Sequence, residues 1–413
     1  YMYKKTITLQ YIVVIFSLAF LFSCKTTKTD FEASIIDIKT DTILPEKKLK
    51  PPLILTFCGD LMCHTENFKT SNYADIYKDI GSIISNDSLT FANLETPVNN
   101  DLPYSTFPIF NAKNEYVIAA INAGIDVFSL ANNHTNDGGI EGILKTASFF
   151  ETVKKKGVYS AGIHTGKNES GQPPFKTDGL SYQIIEKDGW KILFAAYTQI
   201  LNNTTGLKYI DFYPPIQKHN NELVQQLLRL QSTHEHDLFI LSVHSATPEY
   251  VIDVSTYQKK WYKELEECGV DIIWANHPHV LQEWEMIVDS KTYVCSSIIM
   301  HSLGNLISGQ RRPWPNLQEP DHKYEYTGDS ILLQMTIIDN TIMNEGTDIR
   351  TKNFQIEHIH PVYITTHITK WQGDYIIKQL TPEFISSQPK SLQTYYTKRL
   401  ELIQKIKGKI TWR

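Results

Sequence analysis

The stretch DVFSLANNHTNDGG (126–139) ends an apolar run in Asn132, Asn133, His134 and Asp137. A turn needs the paired glycines and one capping Asn or Asp. Four side chains able to bind a metal or carry a proton exceed that need, although a capped strand-to-helix turn also fits this segment taken alone. Four other apolar runs end in the same manner. LILTFC (53–58) leads into Gly59-Asp60, SLTFAN (88–93) brings Asn93 and then Leu94-Glu95, LFILSV stops at His244, and DIIWAN (271–276) leads to His277-Pro278-His279. Each residue by itself reads as a cap or a turn. Five together point to a site, because in layered α/β sheets ligands bind beyond the carboxyl ends of the strands. Carboxylates, an amide and imidazoles suit borderline divalent ions such as Mn²⁺, Fe²⁺ or Zn²⁺, and the donor number allows one ion or two. Pro278 restricts the turn that carries two of the imidazoles.

These side chains need strands to carry them. The five runs, with ILFAAY (192–197), are nearly continuous in apolar residues, as expected of strands covered on both faces. Helix candidates lie between them at 115–124, 222–230 and 255–269, the last closed by Gly269. Alternation of this kind predicts a layered α/β domain. SYQIIEK, Asp188-Gly189 and WKILFAAY predict a hairpin within 181–197, so the sheets are mixed. A second hairpin-like pair is expected at 292–299 and 330–337. Residues 309–329 between them read as a long irregular loop of the kind that covers sites. Residues 340–413 end in a helix-like amphipathic stretch, SLQTYYTKRLELIQKIKGK.

The chain has 413 residues, 41% hydrophobic and 21% charged, with a formal net charge of −5. That length supports one large domain or two smaller ones, and that charge argues against nucleic acid as a partner. Lys4 and Lys5, the apolar run YIVVIFSLAFLFS and then Cys24 have the layout of a secretory signal (1–24). Leu21-Phe22-Ser23-Cys24 resembles a bacterial lipobox, with Cys24 the lipidated residue; an uncleaved anchor helix is the alternative. Polar residues 25–52 read as a tether, followed by a main domain at 53–340 and an extension at 341–413 that packs on or completes it. The expected location is the bacterial cell envelope, with the membrane reached through the lipid. Cys58, Cys63, Cys268 and Cys295 lack a disulfide-scaffold or zinc spacing. Cys58 and Cys295 read as buried free thiols.

GDLM (59–62), ANLETPV (92–98), SLANNHTNDGG (129–139), VHSATPEY (243–250), ANHPHVLQ (275–282) and HSLGNLIS (301–308) resemble, in order, the motifs of the CapA family of poly-γ-glutamate capsule synthesis proteins. That family is similar to the calcineurin-like metallophosphoesterases. The resemblance implies a four-layer α/β/β/α sandwich with mixed sheets and a metal site of one or two ions. It implies Asp60 and His279 on one metal, Glu95 bridging, and Asn133, His244 and His277 on the other. It also implies His134 as the group that contacts substrate and protonates a leaving group. Two departures stand out. Met62 occupies the place where metallophosphoesterases carry a histidine, and His244-Ser245-Ala246 replaces a His-Trp-Gly segment.

Other residues read two ways. Asn93, Asn132 and Asp137 are expected beside the ligands. Asn305 is a turn residue or a site contact, and Glu249 an outer carboxylate holding an imidazole or an exposed side chain. His64 reads as a flanking surface residue, or else as a substitute for the missing histidine. Arg311 and Arg312 read as a solvated loop pair, or else as an anion clamp. The resulting expectation is a membrane-anchored metal-dependent hydrolase of phosphoester or amide-type bonds. It would act on an anionic polymer, or a phosphorylated or γ-glutamyl substrate, in capsule-like polymer synthesis, release or anchoring. The rivals are a non-catalytic accessory subunit partnering a polymer synthase or exporter, and a polymer-binding surface lipoprotein.

Overall fold

A computed structural model describes residues 49–164, 179–312, 319–341, 352–369 and 374–413. The expected signal segment with Cys24, the tether as far as residue 48, and residues 313–318 of the 309–329 loop lie outside the described residues.

The first half of the domain contains β1 (Leu53–Leu61), α1 (Thr65–Phe68), α2 (Ala74–Tyr77), α3 (Gly81–Ile84), β2 (Leu89–Leu94), α4 (Asn114–Ala123), β3 (Val127–Ser129), α5 (Gly139–Lys154) and β4 (Tyr159–Ala161). Next come β5 (Tyr182–Lys187), β6 (Trp190–Thr198), α6 (Gln217–Thr233), β7 (Leu238–His244), α7 (Thr256–Glu267), β8 (Ile272–Asn276), β9 (Trp284–Val288), β10 (Cys295–Met300) and β11 (Asn305–Ile307). The chain then adds β12 (Asp329–Asp339), β13 (Phe354–Ile368), β14 (Tyr375–Gln379), α8 (Pro382–Ser386), α9 (Lys390–Ile403) and β15 (Gly408–Trp412).

Two mixed sheets result. One runs β14–β13–β12–β1–β2–β3–β4, with β11 alongside the end of β1, and the other β15–β9–β10–β8–β7–β6–β5. Alternate residues of each central strand face opposite ways, and both faces are apolar. Leu55, Phe57 and Phe91 from the first sheet meet Phe194, Ile240 and Trp274 from the second in a core between the sheets. The other face of the first sheet packs on Tyr116, Val117, Ile143 and Phe150 of α4 and α5. The outer face of the second packs on Leu223, Leu227, Trp261 and Leu265 of α6 and α7. The layers are therefore α/β/β/α. Burying each such side chain stabilises the fold by about 1.5–3 kcal/mol. Trp274, buried between the sheets, donates its Nε1–H to the Cys58 carbonyl at 2.9 Å, which keeps its one polar group satisfied.

Local signals account for the ends of elements. Ser255 and Gln258 form a capping box at the start of α7, and Gly269 follows the helix at φ +101°. Asp188-Gly189 closes the antiparallel β5–β6 pair, with φ +50° and +83°.

The second expected hairpin does not form. β10 pairs with β9 and β8 in one sheet, while β12 pairs with β1 and β13 in the other. Both are plain apolar runs, and only their distant partners decide the sheet. The amphipathic tail splits: residues 390–403 are helical, and 408–412 form β15, parallel to β9. Residues after 341 thus supply edge strands to both sheets, and Leu49–Arg413 is one compact unit. At its start Lys50 N–H reaches Asp339 at 3.0 Å, and the Pro51 carbonyl accepts from Trp190. Cys58 is buried, whereas Cys295 is only partly so.

Arg311 is not solvated. It is 1% exposed, with Nη2 2.7 Å from Asp329 and Nε 3.4 Å from Glu325. Arg399 of α9 meets the second Asp329 oxygen at 2.5 Å. Part of the expected loop, Lys323–Gly328, is a 3-10 turn held by these charges. Arg312 is exposed.

Candidate metal centre

β1, β2 and β3 run parallel in one sheet, and β6, β7 and β8 in the other. Their carboxyl ends converge at one edge of the sandwich. Asp60 lies within β1, opposite Asn93 of β2, after an irregularity in their register. Gly59 sits at that irregularity, where a Cβ would stand 1.8 Å from the Gly304 carbonyl oxygen. The lack of a side chain lets the Asp60 N–H donate to the same oxygen at 3.0 Å, which brings Asn305 beside Asp60.

Asp60, Glu95, Asn133, His244, His277 and His279 are all at most 3% exposed. His279 Nδ1 lies 3.0 Å from Asp60 Oδ2. His244 Nε2 lies 3.0 Å from Asn133 Oδ1 and 3.1 Å from His277 Nδ1. Glu95 stands between the two groups: its Oε1 is 3.7 Å from His279 Nε2 and 3.9 Å from His244 Nε2. Glu95 can share an ion-sized space with His277 and His279, and equally with Asp60 and His244. Among the described residues the buried Oε1 has no hydrogen-bond partner, a costly state for a carboxylate oxygen.

Electrostatics agree with a cation here. Burial, then the nearby Asp60, Glu249 and Asp137 charges, hold the Glu95 carboxyl well above its ordinary range. Burial and the neighbouring imidazoles hold His244 well below its ordinary value, and burial with His279 pushes His277 down to about 4. Both rings are therefore neutral near pH 7, the state in which imidazole binds metal. Burial opposes a charged His279, yet the hydrogen bond and charge of Asp60, with Glu249 and Asn305, raise its pKa. His277 and His279 have φ of +105° and +58°. Non-glycine residues in such conformations cost roughly 1–3 kcal/mol each, and they cluster at functional sites.

The neighbouring residues have distinct tasks. Asn93 Nδ2 donates to Asp60 Oδ1 at 2.8 Å and approaches Glu95 Oε2 at 3.4 Å. Asn132 holds the turn: Nδ2 donates to the Leu94 carbonyl at 2.7 Å, and Oδ1 accepts from the His134 N–H at 3.2 Å. Asp137 Oδ2 meets His134 Nδ1 at 2.7 Å and accepts from the Phe110 N–H at 2.7 Å. Asn305 Oδ1 lies 3.0 Å from His279 Nδ1, while its amide donates to Ser308, Gln310 and the Thr327 carbonyl. Asn305 is thus a site contact. Glu249 is exposed, and its charge acts on Glu95, His277 and His279 across the rim.

His64 is a correction to the sequence reading: it is buried, not a surface residue. Its Nδ1 accepts from the Gly309 N–H at 3.2 Å. Burial, then the charges of His279 and His134, push it down to about 3. Asn202, unnoticed in the sequence, places Nδ2 3.3 and 3.5 Å from the two ring nitrogens of His134. It lies beyond the end of β6, after Gln199, Ile200 and Leu201, so the strand-end signal alone does not single it out. Met62 is buried, its N–H bonded to the Ile307 carbonyl and its own carbonyl to Tyr116.

A family model described as bacterial capsule synthesis protein PGA_cap matches residues 54–310. The capsule biosynthesis protein CapA of Bacillus anthracis is 25% identical over 315 residues, covering 73% of this chain and 68% of that protein. The PGA biosynthesis protein CapA of Bacillus subtilis (strain 168) is 23% identical over 264 residues, covering 62% of this chain and 64% of that protein. Among solved structures, 5'-nucleotidase from Candida albicans SC5314 aligns at a TM-score of 0.38 and 12% identity, over 86% of this chain and 57% of that one.

Proposed function

We propose, from the premise that this chain belongs to the bacterial capsule synthesis protein PGA_cap family, that it is a metal-dependent hydrolase of the cell envelope. Its substrate would be a phosphoester or amide-type bond of a capsule-like anionic polymer, poly-γ-glutamate being the polymer that the resemblance to the CapA family implies. Anchoring to the membrane through Cys24 belongs to the same proposal.

The observation that carries it is the buried Glu95 Oε1, without a hydrogen-bond partner among the described residues and within 4 Å of His279 Nε2 and His244 Nε2. Two carboxylates, one amide and three imidazoles fit a borderline divalent cation. Asp60, Glu95 and His279 would hold one position, and Glu95, Asn133, His244 and His277 another. Such an ion, when bound, lowers the pKa of water and polarises a phosphoryl or carbonyl oxygen.

The chain's own residues do the rest. Asp137 takes the Nδ1–H of His134, which fixes the ring and leaves Nε2 to carry a proton to a leaving group. Asn132 fixes the backbone of His134, and Asn202 covers the ring. Asn93 and Asn305 hold Asp60 and His279 in place. A second reading, a non-catalytic accessory subunit of a polymer synthase or exporter, draws on Met62, which offers no imidazole on the Asp60 side.

The test is elemental analysis of the purified protein beside a His244→Ala/His277→Ala variant. Both are then assayed with Mn²⁺ on a generic phosphodiester and a γ-glutamyl peptide. About one metal or more per chain, lost in the variant together with turnover, is the expected result. A folded wild type that takes up neither Mn²⁺ nor Zn²⁺ sinks the catalytic reading, and metal without turnover on any bond favours the accessory one.

A further inference from the structure

Phe110 stands between two imidazoles. His134 meets its ring edge-on at 4.6 Å and His64 at 5.0 Å, with interplanar angles of 89° and 81°. The two rings are fixed in opposite senses. His134 Nδ1–H donates to the Asp137 carboxylate, so Nε2 is the nitrogen left to exchange a proton with the reacting group. His64 Nδ1 accepts from the Gly309 N–H, so in the neutral ring the proton sits on Nε2. That Nε2–H meets no acceptor among the described residues and is not sealed from solvent. The close approach of Gly309 is built in: a Cβ there would lie 2.6 Å from His64 Cβ and 2.5 Å from Glu66 Oε2.

We infer that His64 is a substrate-orienting hydrogen-bond donor, presenting Nε2–H to an anionic oxygen of the group held at the metal centre, across Phe110 from His134. The inference rests on the hydrolase reading. It gives the imidazole four residues beyond Asp60 a role different from that of the ligand missing at Met62: His64 contacts the substrate anion, a phosphate or carboxylate oxygen, and binds no metal.

The experiment titrates inorganic phosphate into Mn²⁺-loaded protein by calorimetry, with metal content measured on each sample. Wild type, His64→Asn, His64→Gln and Gly309→Ala are compared. Asparagine imitates Nδ1 and loses the donor, whereas glutamine carries an amide N–H out to the position of Nε2. All four proteins should hold equal metal. Phosphate binding should weaken roughly tenfold or more in His64→Asn, the size expected for a hydrogen bond to a charged group. It should stay within about threefold of wild type in His64→Gln, and weaken in Gly309→Ala as the ring is displaced. Unchanged phosphate affinity in His64→Asn overturns the inference, as does equal weakening in the Asn and Gln variants. Metal lost on changing His64 would make it a ligand and overturn the inference too. Wild type that holds metal but not phosphate defeats the inference and leaves the metal centre standing; wild type without metal defeats both.

Discussion

Glu95→Gln should make the metal-free protein more stable and the metal-loaded protein less so. The carboxylate is fully buried, its Oε1 unpartnered among the described residues, with Asp60 beside it. A carboxyl whose folded-state pKa is raised favours the protonated form. Its cost is therefore absent at low pH and grows as pH rises above the unfolded value of about 4.3. Glutamine keeps the shape and removes the charge. In EDTA at pH 7.5 the variant should gain about 1–3 kcal/mol, the penalty of an unsatisfied buried group. Mn²⁺ at about a thousand times its Kd should stabilise the wild type by about 4.1 kcal/mol. The variant should lose most of that increment, since Glu95 belongs to both candidate ligand groups. Urea unfolding with EDTA and with Mn²⁺ should thus reverse the order of the two proteins. A variant destabilised in EDTA, or one with the same Mn²⁺ increment as wild type, would refute the argument.

Further predictions concern the scaffold and the proton donor. Gly59→Ala forces a Cβ to 1.8 Å from the Gly304 oxygen; a loss of about 3 kcal/mol or more with lowered metal content is expected from unfolding and elemental analysis. Asp329→Ala leaves Arg311 and Arg399 buried without their shared carboxylate, and calorimetric or urea unfolding should show a cost of about 3–5 kcal/mol. Burial, then Lys378 and Arg311, push His367 down to about 4. Below the unfolded value of about 6.5 the unfolded chain takes the proton first, so stability should fall as pH drops from 6.5 to 4. His367→Phe should remove about 2–3 kcal/mol of that slope, read as the difference between the two pH–stability curves. Asp137→Asn should lower turnover roughly 10²-fold and alter its pH profile while metal content stays constant; an unchanged profile would remove His134 from proton transfer.

Much of the site was legible because fully covered parallel strands read as unbroken apolar runs, so a donor at the end of such a run stands out. Asp60, Glu95, Asn133, His134, His244, His277 and His279 carry that local signal, while their division between metal positions comes from the family resemblance. The antiparallel β5–β6 pair was legible for a related reason: Asp188-Gly189 encodes its own turn. What the sequence could not determine depends on partners far along the chain. β10 and β12 are apolar runs alike, and only long-range pairing sends them to different sheets. Arg311 looks solvated until α9 and the 3-10 turn bring Arg399, Glu325 and Asp329 around it. His64 becomes part of the site through a backbone amide 245 residues away. Glu95 meets both His244 and His279 only because two sheets, each carrying half of the donors, pack with their strand ends at one edge. Residue type and strand-end position are local properties of the chain, whereas the distances that make a metal centre are set by how the two sheets pack.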